Sequence, residues 1–151
     1  DPTRDPGLAR RAIERLRIAH RAQRSSLAAP RGARQLAMLA RALAQEARVL
    51  LLDEPTAHLD VSRRLEVLAL VRELAREGRS ALVVSHDLGV AARECDRVAL
   101  LSEGRILAVG PPAEVLEPAL LRRAFGVDAE ILRCADGSPV VVPRRAPGGG
   151  P

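Results

Sequence analysis

Aromatic residues are almost absent from this chain of 151 residues, which has no Trp, no Tyr and a single Phe. Hydrophobic residues make up 47% of the sequence, so a core of one ordinary domain can still form from aliphatic side chains. The shortage of aromatics disfavours nucleic-acid modules that stack bases on aromatic side chains.

Lysine is missing altogether, since all 24 basic residues are arginine. This absence excludes Schiff-base chemistry and a Ser-x-x-Lys nucleophile site. It also excludes a complete phosphate-binding loop of the G-x-x-x-x-G-K-[ST] type within these residues.

Membrane spans, signal segments and disulfide frameworks are also missing. No apolar run reaches the roughly 18 residues of a membrane span, and the N-terminal residues show no apolar signal region. Cys95 and Cys134 are too few for a disulfide framework, so we expect reduced cysteines in a cytosolic protein.

Residues 1–50 carry 11 Arg against 4 acidic residues. Nucleic acid or a membrane surface could explain this excess, but solvated Arg on amphipathic helices is the simpler explanation.

Segments with helical periodicity alternate with short apolar runs, which is typical of an α/β fold with a parallel sheet. Asp5 and Pro6 form a helix start, and Asp60 is suited to cap a helix that Gly78 closes. The predicted helices cover about 6–19, 33–46, 61–77, 88–94 and 113–126. The predicted strands cover 49–52, 80–85, 96–101, 105–110, 130–134 and 139–143. We expect the last two strands to form a terminal hairpin.

Polar side chains suited to phosphate chemistry follow two of the predicted strands, at the end where α/β sheets bind ligands. Asp53 has hard oxygens that suit Mg²⁺, directly or through water. Glu54, which we expect the following Pro55 to hold extended, can accept a proton from an attacking water. His86 can donate a hydrogen bond to a terminal phosphate. Each group alone fits a solvated surface equally well, so the signal is their joint order along the chain.

These motifs resemble the ATP-binding subunits of ABC transporters over about residues 8–143. VLLLDEP at 49–55 is similar to the Walker B strand with its glutamate, TAHLD at 56–60 to the D-loop, and VSHD at 84–87 to the switch-histidine loop. The segment at 124–143, AFGVDAEILRCADGSPVVVP, is most similar to ATPases of heme, ferric-siderophore and cobalamin importers.

The resemblance implies an α/β fold with a P-loop NTPase-like parallel sheet and flanking helices, ending in a small antiparallel hairpin. The chain would then correspond to the C-terminal portion of an ABC ATPase domain. Residues 1–46 would end the helical subdomain with a degenerate signature loop and the signature helix, and 47–110 would form the ATPase core. Residues 111–143 would form a helical and hairpin extension, followed by a disordered tail at 144–151.

The resemblance also implies a set of site residues: Glu54 and His86 as catalytic; Asp53, Asp60, Gly32 and Gln35 as ATP-binding; and Asp53 as the Mg²⁺ ligand. The family's L-S-G-G-Q signature aligns with residues 29–33, where this chain departs from it. Pro30 has neither a hydroxyl nor an amide N–H, and Arg31 replaces a glycine. The Walker A loop and the Q-loop fall outside these 151 residues.

The function implied is an ATP-hydrolysing subunit of an ABC importer for heme, a ferric siderophore or a corrinoid. Its implied partners are a second ATPase subunit in a homodimer, transmembrane permease subunits and, indirectly, a substrate-binding protein, at the cytoplasmic face of the inner membrane. No nucleic acid is expected, and without the phosphate loop the chain alone is expected to be inactive. Two alternatives remain open: a truncated, catalytically inactive homologue, and an Arg-rich, nucleic-acid-associated relative of these ATPases.

Overall fold

Helices and strands alternate along the chain as the sequence predicts. Within residues 6–16 and 31–144, which the computed structural model describes, there are six helices and six strands. The chain divides into two units, Asp1–Val84 and Ser85–Pro151. No helix in the described ranges is long and apolar enough to cross a membrane.

The first unit combines three helices with a pair of parallel strands. In chain order its described elements are α1 (Pro6–Arg15), α2 (Arg31–Leu43), β1 (Val49–Asp53), α3 (Val61–Arg76) and β2 (Ser80–Val84). Val49 pairs with Ser80 and Asp53 with Val84, so both strands finish at the same edge. The core between strands and helices is aliphatic and includes Leu36, Leu39, Leu50, Leu52, Val67 and Leu74.

Both ends of α3 are closed by the residues that the sequence indicates. The Asp60 carboxylate accepts a hydrogen bond from the Arg63 backbone N–H at 2.9 Å, a cap typically worth about 1 kcal/mol. At the other end Gly78 has a φ of +88°, which a residue with a β-carbon adopts only with strain. The chain can therefore turn sharply from α3 into β2.

Among the residues that the structure describes, helices cover only one face of the parallel pair formed by β1 and β2. Leu50 and Leu52 are buried against the helices, whereas Leu51 is 74% exposed and Leu82 59% exposed. Side chains alternate between the two faces of a strand. A continuous apolar run such as VLLL is typical of a parallel strand buried on both faces. Burial holds here for Leu50 and Leu52 and not for Leu51, which lies on the uncovered face.

The second unit contains two antiparallel pairs and three helices. Its elements are α4 (Leu88–Glu94), β3 (Val98–Ser102), β4 (Arg105–Gly110), α5 (Pro112–Val115), α6 (Pro118–Phe125), β5 (Ala129–Arg133) and β6 (Pro139–Pro143). β3 pairs with β4 and β5 with β6, both antiparallel. The core includes Leu100, Val115, Leu116 and Leu121.

The structure confirms the α/β class, the cap at Asp60 and the terminal hairpin. The helix predicted over 33–46 runs from Arg31 to Leu43. It ends earlier than predicted because the chain turns before Glu46, whose φ is +49°. The single helix predicted over 113–126 is wrong. Pro118 lacks an amide N–H and disfavours helical backbone in the residue before it, so two helices form instead of one.

Some predictions fall on residues that the structure leaves outside its described ranges. These are the helix cap at Asp5 and the signature-loop residues Ala29 and Pro30. The tail beyond Arg144 is outside them as well. Arg144 itself, the first residue of the expected disordered tail, donates its backbone N–H to the Asp128 carbonyl at 2.6 Å.

Candidate active site

Asp53 and Glu54 lie at the edge of the parallel pair where both strands finish. Asp53 is the last residue of β1, and the Glu54 N–H donates to the Val84 carbonyl at 2.9 Å, which extends the pairing by one residue. Asp53 is exposed and Glu54 is half-buried. This is the edge at which α/β sheets bind ligands.

The backbone bends at Glu54, and the expectation that Pro55 holds this residue extended is wrong. The φ of Glu54 is +45°. Pro55 occupies the second position of a turn, which suits proline, and the Ala57 N–H closes that turn on the Glu54 carbonyl at 3.1 Å. Proline favours extended backbone in the residue before it, so Glu54 is held against its local preference. Such backbone strain in a non-glycine residue, about 1–3 kcal/mol, clusters at functional sites.

The N-terminal part of α2 contacts the segment that follows Glu54. The Gln35 side-chain amide donates through Nε2 to the Glu54 carbonyl at 2.8 Å. A β-carbon on Gly32 would lie 3.0 Å from the carbonyl oxygen of His58 and 3.3 Å from the Leu59 side chain, so a larger residue would push the His58 backbone away by a few tenths of an ångström. The ATP contacts predicted for Gly32 and Gln35 stay predictions, and their observed neighbours belong to the turn beyond β1.

Asp60 and His58 complete the segment between β1 and α3. Asp60 is exposed and caps α3, which is compatible with the predicted D-loop role. His58 is exposed and has a φ of +61°, whereas Thr56 is buried. The segment therefore bends twice, at Glu54 and at His58.

His86 belongs to the second unit, in the short link before α4, and it is exposed. The residue after it, Asp87, caps α4 by accepting hydrogen bonds from the N–H groups of Gly89 at 3.0 Å and Val90 at 3.2 Å. The Asp87 N–H in turn donates to the Ser85 hydroxyl at 3.1 Å. These bonds fix the backbone on either side of His86. Four of the other predicted site residues come together within the first unit: Asp53, Glu54, Gln35 and Gly32.

The chemistry of Asp53 fits Mg²⁺ bound together with phosphate. In the described part of the chain, no three His, Cys, Asp or Glu side chains form a group that could hold a metal ion by themselves. Mg²⁺ usually binds one or two protein carboxylates and takes its other ligands from water and substrate phosphates. One exposed carboxylate at a strand end meets that requirement.

Sequence reasoning missed the contact between Gln35 and Glu54. The resemblance implied an ATP contact for Gln35, whereas its half-buried side chain meets the Glu54 carbonyl. The available signal was its helical spacing, because Gln35 lies one turn before the buried Leu39 and next to the buried Leu36.

Comparison with known proteins places these features in a family. A family model described as ABC transporter matches residues 4–57. The hemin import ATP-binding protein HmuV of Bordetella parapertussis is 43% identical over 141 residues, which cover 87% of this chain and 54% of that protein. HmuV of Streptomyces coelicolor is 47% identical (90% and 49% covered) and HmuV of Pseudomonas aeruginosa is 44% identical (93% and 58% covered). The chain thus spans about half the length of the curated relatives it matches.

Solved structures share the fold. A chain of a transporter assigned to the metal-chelate type of ABC transporters, in an inward-facing conformation, superposes with a TM-score of 0.78 at 26% identity, covering 92% of this chain and 57% of that one. CbiO1 of Clostridium perfringens, part of the ABC transporter complex cbiONQ, has a TM-score of 0.60 at 30% identity, covering 78% and 47%. The predicted fold class is therefore confirmed.

Proposed function

Because the chain belongs to the ABC transporter ATP-binding family, we propose that it is the part of an importer's ATPase subunit that carries the residues for ATP hydrolysis. Relatives that are 43–47% identical are named hemin import ATP-binding proteins, which supports heme, or a similar iron chelate or corrinoid, as the cargo. The partners we propose are a second ATPase subunit and transmembrane permease subunits, with a substrate-binding protein acting indirectly. The site of action is the cytoplasmic face of the plasma membrane.

The observation that carries this proposal is the placement of Glu54 directly beyond β1. Its N–H is bonded to Val84 and its carbonyl to Gln35 and Ala57, so the backbone that carries the carboxylate is fixed on both sides. The Glu54 carboxylate accepts the proton of the attacking water. Asp53 would hold Mg²⁺, whose charge would offset that of the phosphates. His86 donates a hydrogen bond to the terminal phosphate and stabilises the charge that develops there.

The proposal assigns the chain's segments as follows. Residues 1–46 contain the end of the helical subdomain and the signature helix, 47–110 the ATPase core, and 111–143 a C-terminal extension. Nucleotide contacts by Asp60 and by Gly32 belong to this proposal as well. Hydrolysis would also require a phosphate-binding loop of the G-x-x-x-x-G-K-[ST] type, which these 151 residues do not supply because they contain no lysine.

The chemistry is tested in the assembled ATPase, meaning this chain joined to the remaining part of the Pseudomonas aeruginosa relative. We expect Glu54→Gln to lower the turnover number at least 100-fold while ATP still binds, because a general base typically contributes about 10²–10⁴ in rate. His86→Ala should also lower turnover. ATPase turnover is measured by phosphate release, and ATP binding by calorimetry.

The control for this test is Glu46→Gln. Glu46 has a positive φ, as Glu54 does, but it is exposed and lies outside the site. We expect it to leave turnover unchanged. If Glu54→Gln turns over at the rate of Glu46→Gln, Glu54 is not the base.

A second candidate, an inactive homologue, is favoured by one observation, the complete absence of lysine. The phosphate cradle supplies most of the affinity for nucleotide, so the 151-residue chain by itself should bind Mg-ATP no more tightly than about millimolar, a weak interaction of roughly 4 kcal/mol. Calorimetry on the chain measures this directly. Saturable micromolar binding would show that another loop holds the phosphates.

A further inference from the structure

The left-handed backbone of Glu54 needs support that its own turn does not provide. A glutamate gains nothing from a φ of +45°, and the bend persists only where surrounding contacts determine it. One such contact comes from within the sheet, the bond from the Glu54 N–H to the Val84 carbonyl. Another comes from α2, where Gln35 donates to the Glu54 carbonyl at 2.8 Å.

The Glu54 carbonyl oxygen accepts two hydrogen bonds, one from Gln35 and one from the Ala57 N–H. A carbonyl oxygen has two lone pairs, so its capacity is filled. The Gln35 amide comes from an element distant in sequence, and it therefore ties the turn to α2. Gly32, three residues before Gln35, allows α2 to approach the same segment closely at His58.

We infer that Gln35 is a positioning residue for Glu54, holding the bent backbone from which the Glu54 carboxylate reaches the attacking water. The inference rests on the proposed function, because it acts through the proposed base. It gives Gln35 a role within its own subunit in place of the ATP contact predicted from the sequence. Gly32 serves the same arrangement by letting the helix lie against the turn.

The test uses the assembled ATPase and the variant Gln35→Met. Methionine keeps the length of the side chain and the helix propensity but cannot donate to the carbonyl. We expect the turnover number to fall about tenfold or more, because small displacements of a catalytic group lower rates steeply. The KM for ATP should stay within about twofold, since Glu54 does not hold the nucleotide. Gln35→Glu, which is isosteric and also lacks the donor when ionised, should behave alike.

The matched control is Gln45→Met, an exposed glutamine beyond the end of α2. It should leave both the turnover number and the KM unchanged. Thermal unfolding of each variant identifies any that fails to fold, in which case the other Gln35 variant is used.

A double-mutant cycle separates positioning from a general structural role. In the Glu54→Gln background, Gln35→Met should have no further effect on the residual rate, because its effect passes through the base. An equal fall in both backgrounds overturns the inference, and so does an unchanged turnover number in Gln35→Met. Both of those outcomes leave the proposed function standing, whereas normal turnover in Glu54→Gln alone overturns the proposed function itself.

Discussion

At the scale of single residues, Glu103 shares the left-handed backbone of Glu54 without any place in the chemistry. It has a φ of +49° and Gly104 a φ of +73°, and the two join β3 to β4 with Ser102 paired to Arg105. Two consecutive positive φ angles define the hairpin turn that favours Asn-Gly. Strain at Glu54 serves the proposed site, whereas strain at Glu103 is removable.

We therefore expect Glu103→Asn to stabilise the chain by roughly 0.5 kcal/mol, because asparagine adopts this backbone region more readily than glutamate. The free energy of unfolding, from denaturant titration of dilute protein, measures the gain. Glu114→Asn, an exposed change in the regular backbone of α5, is the control and should give no gain. A loss of stability in Glu103→Asn would mean that the glutamate side chain itself supports the turn.

The site residues were predictable from the sequence to different degrees. Asp53 and Glu54 could be placed because the apolar run of β1 shows where the strand ends. The bend at Glu54 could not, because a glutamate before a proline gives no sign of a positive φ. The contact of Gln35 with Glu54 escaped prediction for a related reason: it joins two elements, and local pattern contains no information on which carbonyl a half-buried amide will meet.

At the scale of elements, α1 and α3 are linked by one arginine. The Arg15 guanidinium donates to both Glu77 carboxylate oxygens, at 2.7 and 3.3 Å. The Nη2 atom of Arg15 also lies 3.1 Å from the Oε1 atom of Glu73. The hydrogen bond from Arg15 lowers the pKa of Glu77. A carboxylate whose pKa is lowered by folding stabilises the fold above its unfolded pKa, and that contribution disappears as the pH falls through the lowered folded value.

We expect Glu77→Gln to lower the stability of the chain above about pH 5, the region in which an ordinary glutamate is ionised. In strongly acidic solution, where the wild-type carboxyl is protonated too, the difference should vanish. The effect should be small, because the pair is exposed to solvent. Denaturant titrations at a series of pH values measure it. In an Arg15→Gln background the same change should show a smaller pH dependence, because the charge of Arg79 still lowers the pKa of Glu77. An equal dependence in both backgrounds would exclude Arg15 as the cause.

Elements were predicted best where one residue type decides the outcome locally. Asp60 caps α3, Gly78 ends it, and Asp87 caps α4, each through a short-range hydrogen bond or a backbone angle. The predictions failed where competing local signals had to be weighed. Periodicity over 113–126 favours one helix, but the restriction imposed by Pro118 prevailed and the chain forms α5 and α6.

At the scale of the whole molecule, each unit leaves an apolar sheet face uncovered within the described residues. In the first unit Leu51 pairs with Leu82, and both are exposed. In the second unit Leu101 pairs with Ile106, and these side chains are exposed as well. Parallel strands are ordinarily covered on both faces, and two-stranded sheets with open edges invite pairing with other chains. Sequence alone could not show this, because an apolar strand looks the same whether one face or both are covered.

We accordingly expect the isolated chain to self-associate, and the double change Leu51→Thr with Leu82→Thr to slow that association. Threonine keeps the preference for strand structure while removing apolar surface, so the free energy of unfolding should change by less than about 0.5 kcal/mol, as for other exposed positions. Light scattering measures association, and denaturant titration measures stability.

The control is the variant Leu50→Thr at the neighbouring position, where the side chain is only 3% exposed. This change should lower the free energy of unfolding by about 2–5 kcal/mol, because it removes a packed side chain and buries a hydroxyl. If the double variant is destabilised as much as Leu50→Thr, the face of Leu51 and Leu82 is covered in solution; if it associates as fast as the wild type, association proceeds through another surface.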